Sequence, residues 1–295
     1  MVGGGGESPL ALVVGAKGTL GQSLVEELPR AGWTVALAAD RSTCDLRDLA
    51  SVRAVVAKAF GGRPGVVFNA AAYTDVDRAE TEGDLSYAVN ALAVEALARA
   101  TDEAGAKLVH YSTDFVFDGT LERLYDEFDP PTPQGVYARS KVAGESLAAA
   151  ATSRLFTLRV GCLYGRNGRN FPSTIVRRLR AGETIRADRE RMGSPTWVRD
   201  VSRASAALAR TDFYGMYHCT SQGETSWADY ARFCAAKLGV PESRVEGLPT
   251  SALPMKAPRP RRAILDNRML RLRGLDTMPS WQDAALAFIE ATAAA

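Results

Sequence analysis

Tyr137-Ala-Arg-Ser-Lys141 sets a phenol and an amine four residues apart. On a helix, positions i and i+4 share a face, about one turn from each other. A free tyrosine has a pKa of about 10, so using it near neutrality requires a shift worth roughly 4 kcal/mol. A unit charge ~4 Å away at an effective dielectric of ~20 supplies about that much. Lys141 is therefore expected to lower the pKa of Tyr137 and make it a proton donor to a reacting oxygen. Upstream, Tyr111-Ser112-Thr113-Asp114 ends an apolar run. Thr113 could hold the oxygen that Tyr137 protonates, with Ser112 and Asp114 beside it. Open α/β sheets bind ligands at such carboxyl ends of strands.

A second constellation supplies what a proton donor lacks. Gly15-Ala-Lys17-Gly18-Thr19-Leu20-Gly21 follows the apolar run 10–14 and opens a helical pattern. In a strand–turn–helix unit, the first glycine permits the turn and the second lets backbone N–H groups approach a pyrophosphate. The third lets helix and strand pack, and the helix N-terminus favours the negative charge. Asp40 stands 19 residues beyond Gly21, where an acid would bind a ribose 2′-hydroxyl and favour NADH. Arg41, or Lys17 in the glycine loop, would instead receive the 2′-phosphate of NADPH, the favoured reading. Asn69-Ala70-Ala71-Ala72, at the end of another apolar run, offers small residues beside such a cofactor.

Composition removes other chemistries. Two histidines and four cysteines, with no CxxC and no HExxH, leave no metal site in prospect. A net charge of +2 argues against nucleic acid as the main partner. Residues 1–9 (MVGGGGESP) read as a flexible extension, and no apolar run approaches the ~18 residues of a membrane span. A cytoplasmic protein with no membrane partner is expected.

The elements that must carry these residues are legible as alternation. Runs 10–14, 34–38, 66–69, 107–112 and 156–160 have strand length and no polar alternation, as parallel strands covered on both faces do. Helical spacing lies between them, in 20–30 and in 84–103, where Leu85, Val89, Leu92, Ala96 and Ala100 recur. The expected fold is α/β, a Rossmann-type doubly wound parallel sheet over 10–163 with a smaller C-terminal lobe over 164–295. Segments near 194–220 are expected to return to the first domain. In the second half, 164–171 is loop-like and 174–180 and 198–209 are helical. Ser226-Trp-Ala-Asp229 and Ser280-Trp-Gln-Asp283 open further helices with capping boxes, and four prolines make 249–260 irregular. The segment 256–273 carries Lys256, Arg259, Arg261, Arg262, Arg268, Arg271 and Arg273 against Asp266 alone, an electrostatic trap for a diphosphate with Arg259 foremost.

With these residues assembled, the chain resembles the extended short-chain dehydrogenase/reductases, and more narrowly the dTDP-4-dehydrorhamnose reductase family. The stretches that carry the resemblance are GAKGTLG (15–21), FNAAAYTDVDRAE (68–80), VNALAVEALARA (89–100), VHYSTDFVFDG (109–119), YARSKVAGE (137–145), GRNF (168–171), GSPT (193–196) and PRPRRAILDN (258–267). It implies nicotinamide-dependent reduction of the 4-keto group of a nucleotide-linked 4-keto-6-deoxyhexose. Thr113, Tyr137 and Lys141 are then the catalytic set, with Lys141 also on the nicotinamide ribose. Gly15, Gly18 and Gly21 cradle the pyrophosphate, while Asp45, Leu46 and Ala70, Ala71 and Ala72 line adenine and ribose. Asn170, Phe171, Gly193, Ser194, Pro195, Thr196 and Arg259 face the sugar nucleotide, and a homodimer is left open.

Two departures from the resemblance bear on substrate. Related dehydratases place Glu after the Thr-Asp pair, whereas Phe115 stands here and has no proton to give. Reductases of the family often place Trp where Cys162 stands, so the sugar contact at Cys162 differs. An epimerase or dehydratase of the same superfamily, or a regulatory subunit that binds NADP without turnover, are the alternatives.

Overall fold

The computed structural model describes residues 8–167 and 170–293. Residues 1–7 of the expected extension, and Gly168 and Arg169 of the GRNF stretch, lie outside the described residues. The first half runs β1 (Leu10–Val14), α1 (Thr19–Arg30), β2 (Thr34–Ala39), α2 (Leu49–Phe60) and β3 (Gly65–Asn69). Two short helices, α3 (Val76–Ala79) and α4 (Gly83–Tyr87), lead through a π-helical turn at Ala88–Leu92 into α5 (Ala93–Glu103). β4 (Lys107–Thr113), α6 (Val136–Ala151) and β5 (Leu155–Val160) complete it.

These strands form a parallel sheet in the order β2-β1-β3-β4-β5. After β2 the chain crosses back to the other side of β1, so the crevice opens above the carboxyl ends of β1 and β3. Apolar runs without alternation become strands buried on both faces: β1, β4 and β5 are buried almost throughout. β2 is the exception, half-exposed because it is the sheet edge. One apolar core, with Leu24, Trp33 and Phe156, fills one face, and another, with Val52, Phe60 and Leu97, fills the other.

The expected single helix over 84–103 is divided. The π turn rotates the apolar stripe, leaving Leu92 exposed while Ala93, Val94 and Leu97 are buried. It also brings the Asn90 carbonyl so close to Gly144 of α6 that a Cβ there would lie 2.0 Å from the oxygen.

The second half begins with β6 (Leu163–Tyr164) and α7 (Phe171–Arg180), then β7 (Ile185–Asp188), β8 (Met192–Gly193) and β9 (Thr196–Trp197). α8 (Val198–Leu208) and β10 (Gly215–His218) return to the first half. α8 packs on α1 through a Ser202–Ser23 hydroxyl contact of 2.9 Å and an Arg203–Glu27 ion pair of 2.7 Å. β10 becomes the sixth strand, parallel to β5. β11 (Thr225–Ser226), α9 (Trp227–Leu238), β12 (Val245–Leu248), α10 (Arg268–Leu272) and α11 (Trp281–Ala291) follow. β7 pairs with β12, β8 with β11 and β6 with β9. Ser226 and Ser280 accept from the backbone N–H of Asp229 and Asp283, as their spacing predicts. α7 starts three residues earlier than its apolar spacing indicates, because Asn170 caps it and Pro172 fits a first turn. Among the described residues no helix is long and apolar enough to cross a membrane.

Candidate active site

A cleft of about 1150 Å³ runs over the carboxyl ends of the sheet strands. That exceeds the ~300–1,000 Å³ of an ordinary small-molecule pocket, as two ligands side by side would require. The glycine loop forms its floor. Gly15 has φ +80°, and a Cβ there would lie 2.7 Å from the Ala71 amide nitrogen, so β1 and the loop after β3 can meet only at a glycine. Gly21 is packed still more tightly, since a Cβ there would lie 2.1 Å from the Gly15 carbonyl oxygen, and it lies behind the cleft rather than in its wall. Gly18 caps α1 with no side chain, leaving first-turn N–H groups for an anion. Lys17, Thr19 and Leu20 line the same end, as do Asn69, Ala70, Ala71 and Ala72. These residues fit a dinucleotide: bare backbone where a pyrophosphate would lie, and small residues beside it.

Asp40, Arg41, Asp45 and Leu46 wall the far end. Asp40 is already engaged, by Lys17 and by the Ser42 amide and hydroxyl, which hold its carboxyl well below the usual range. Arg47 does the same for Asp45. Arg41 is exposed and makes no ion pair with a described residue.

Tyr137 stands in the first turn of α6 and Lys141 one turn further in. Both reach the cleft, with Ser112, Thr113 and Asp114 from the end of β4. Lys141 does not turn to the phenol: its Nζ donates to the Tyr111 carbonyl at 2.6 Å. The expected lowering of Tyr137 by Lys141 is therefore corrected. Burial pushes the phenol up to about 12, with nearby Asp114 adding to the rise and the Thr113 hydroxyl opposing it. Tyr137 thus keeps its proton at neutral pH, the form that a donor needs. Burial also draws Lys141 down to about 8, against the pull of Glu145. Thr113 donates to Asp114 Oδ1 at 3.0 Å, and burial raises that carboxyl to about 7. Ser112 Oγ is buried with no partner among the described residues, a hydroxyl free for a ligand. The Phe115 ring meets Tyr137 edge-on, with centroids 6.0 Å apart.

On the opposite wall stand Cys162, Asn170, Phe171 and Gly193. Cys162 has φ +50°, the one non-glycine in the left-handed region among the described residues, and its Sγ closes on Gly193. Burial pushes its thiol up, away from reactivity. Ser194, Pro195 and Thr196 do not face the cleft. They are buried behind Gly193, with Ser194 donating to the Gly223 carbonyl (2.6 Å) and Thr196 to the Ser194 carbonyl (2.8 Å).

Arg259 lines the cleft but is held bidentately by Asp77, 2.9 Å at each nitrogen. Three more arginines of the basic segment are likewise paired. Arg262 pairs with Glu224, Arg268 with Asp126 and Arg271 with Asp266, each at 2.7 Å. Four of the seven cations of the expected trap are thus held in ion pairs, three of them with acids that the fold brings from elsewhere in the chain.

Several residues in the cleft, or buried behind it, have no catalytic or binding motif of their own. Asn90 accepts from the Tyr73 amide (2.9 Å) and donates to the Tyr73 carbonyl (3.0 Å) and to Ser140 Oγ (3.0 Å). It ties the loop after β3 to the helix of Tyr137 and Lys141. Its one signal is a lone amide within an apolar stripe. Trp227, edge-on to Phe171 at 5.6 Å, and Arg191, paired with Asp188 at 2.6 Å, also line the cleft. His110, against Asn69 at 3.2 Å, and His218 are buried packing residues.

A family model described as the RmlD substrate binding domain matches residues 10–294. A dTDP-4-dehydrorhamnose reductase of Burkholderia thailandensis is 37% identical over 291 residues, covering 92% of this chain and 95% of the relative. A dTDP-4-keto-6-deoxy-D-glucose reductase of Streptomyces niveus is 36% identical over 274 residues, covering 92% of this chain and 94% of the relative. The crystal structure of a Bacillus anthracis dTDP-4-dehydrorhamnose reductase in complex with NADP superposes with a TM-score of 0.90 at 34% identity. It covers 97% of this chain and 100% of that one.

Proposed function

This chain belongs to the dTDP-4-dehydrorhamnose reductase family, and from that premise we propose that it reduces the 4-keto group of a dTDP-linked 4-keto-6-deoxyhexose with NADPH. The observation that carries the reading is convergence. Tyr137, Thr113 and Lys141 meet in one cleft with a glycine loop in which a Cβ at Gly15 or Gly21 would collide with backbone.

In this reading the cofactor, when bound, supplies a hydride to the carbonyl carbon. The glycine loop and the first turn of α1 hold its pyrophosphate, and Asn69 to Ala72 border its ribose. Arg41, with Lys17 beside it, favours the 2′-phosphate, since Asp40 is occupied by Lys17 and Ser42. Thr113 Oγ holds the substrate oxygen, and Tyr137 Oη gives it the proton that balances the new C–H bond. The lobe around α7 and α9 offers Asn170, Phe171 and Trp227 to the sugar nucleotide. Phe115, edge-on to Tyr137 where a related dehydratase carries an acid, leaves elimination without its proton donor. The four cysteines are unpaired, which suits a reducing, cytoplasmic compartment.

The test is direct. Purified protein with NADPH and the dTDP-4-keto sugar is followed at the nicotinamide absorbance. Stoichiometric oxidation supports the reading, and tight NADPH binding without turnover on any such sugar points to the regulatory alternative.

A further inference from the structure

Lys141 is the only lysine buried among the described residues, and its side chain is 2% exposed. Its one hydrogen bond goes to a neutral carbonyl, that of Tyr111. An ammonium so placed tends to shed its proton unless an opposite charge stands close. The groups around it are few. β4 presents His110, whose buried ring is held neutral, and the turn after it presents Asp114 beside Tyr137. The π turn and α4 present only the neutral Asn90 and Ser86, bonded to Ser140. Glu80, from the end of α3, is spent on the Val136 amide at the head of α6. On α6 itself stand Tyr137 and, one turn past Lys141, Glu145.

Glu145 is buried and gripped from β5: Arg159 Nε donates to Oε1 at 3.0 Å and Nη2 to Oε2 at 2.8 Å. The two side chains are 4% and 6% exposed, and the guanidinium lies 5.1 Å over the Phe117 ring. A buried pair of this kind adds little net stability over an apolar replacement. Its place one helical turn from Lys141 gives it another use.

We propose that Glu145, fixed by Arg159, is a positioning residue for the reaction: its carboxylate keeps the Lys141 side chain in the ammonium form beside Tyr137. Neither group touches substrate or cofactor; both act through Lys141. A catalytic role for Lys141, on the nicotinamide ribose as the family resemblance implies, rests on the reductase reading above, but the electrostatic assignment does not.

The two are separable by experiment. Lysine carrying ¹³C at Cε is incorporated into the cofactor-free protein, and the Lys141 signal is assigned by its loss in Lys141→Met. Its titration midpoint is read by NMR. Glu145→Gln alone strands Arg159 and threatens folding, so the paired variant Glu145→Gln/Arg159→Met is the main test. We expect its Lys141 midpoint to fall by about one pH unit, and the alkaline limb of kcat to move to lower pH with it. A merely structural pair would leave the midpoint in place whatever the melting temperature does, and an unchanged or raised midpoint overturns the assignment. A wild-type protein inert on every 4-keto sugar, with the midpoint shifted as expected, would refute the reductase reading alone.

Discussion

Burial raises the Tyr137 pKa from its ordinary value of about 10 to about 12, and no ammonium lowers it, so the phenol is fully protonated at neutral pH. Reduction requires that form, so Tyr137→Phe is expected to lower kcat by about 10²–10⁴ while NADPH affinity, read by quenching of protein fluorescence, stays within a factor of about two to three. Loss of cofactor affinity together with kcat would instead place Tyr137 in binding. With the phenol at about 12 and Lys141 at about 8, loss of the ammonium that the resemblance places on the nicotinamide ribose should set the alkaline fall in kcat, centred near pH 8. Asp114 gives a stability prediction with a definite sign. Its folded pKa, about 7, lies above the unfolded value, so the folded protein binds the proton more tightly. Stability therefore falls as pH rises from about 4 to about 7. Asp114→Asn should raise the melting temperature at pH 8, with the gain shrinking toward pH 4; a gain independent of pH would contradict the assignment. At this scale the sequence was informative about which residues converge, since type and spacing single out Tyr137, Lys141 and Thr113. It could not reveal where Lys141 points, because that depends on the Tyr111 carbonyl, and every residue has a carbonyl.

Among the elements, the strands were the most legible, because parallel strands covered on both faces are written as uninterrupted apolar runs. The helix over 84–103 was not, since a π turn has no apolar period of its own and is imposed by the neighbour it meets. That neighbour is α6, where Gly144 lets the Asn90 carbonyl approach and Ser140 receives the Asn90 amide. Gly144→Ala is expected to destabilise the fold by about 1–3 kcal/mol in denaturant titration. It should also lower kcat more than it changes the KM for NADPH, because it displaces the helix bearing both Tyr137 and Lys141. A silent Gly144→Ala would mean that the π turn does not position the site.

For the whole molecule, charge was the misleading guide. The basic segment 256–273 looks like an anion trap in sequence, yet Asp77, Glu224 and Asp126 reach it from elsewhere in the chain and engage Arg259, Arg262 and Arg268. Asp77 also accepts from the backbone N–H of Lys256 and Ala257, so one carboxylate pins this segment to α3 across the cleft. Asp77→Asn should therefore raise the KM for the sugar nucleotide several-fold and leave NADPH affinity unchanged, as steady-state kinetics and cofactor titration would show. The central claim, hydride delivery to the sugar C4 with the proton from Tyr137, is tested most directly by isotope transfer. Reduction of the dTDP-4-keto-6-deoxyhexose with NADPH deuterated at the nicotinamide C4 should place deuterium at hexose C4 in the NMR spectrum of the product, and Tyr137→Phe should yield almost none. Deuterium at any other carbon, or a product that forms without consuming NADPH, would contradict the account.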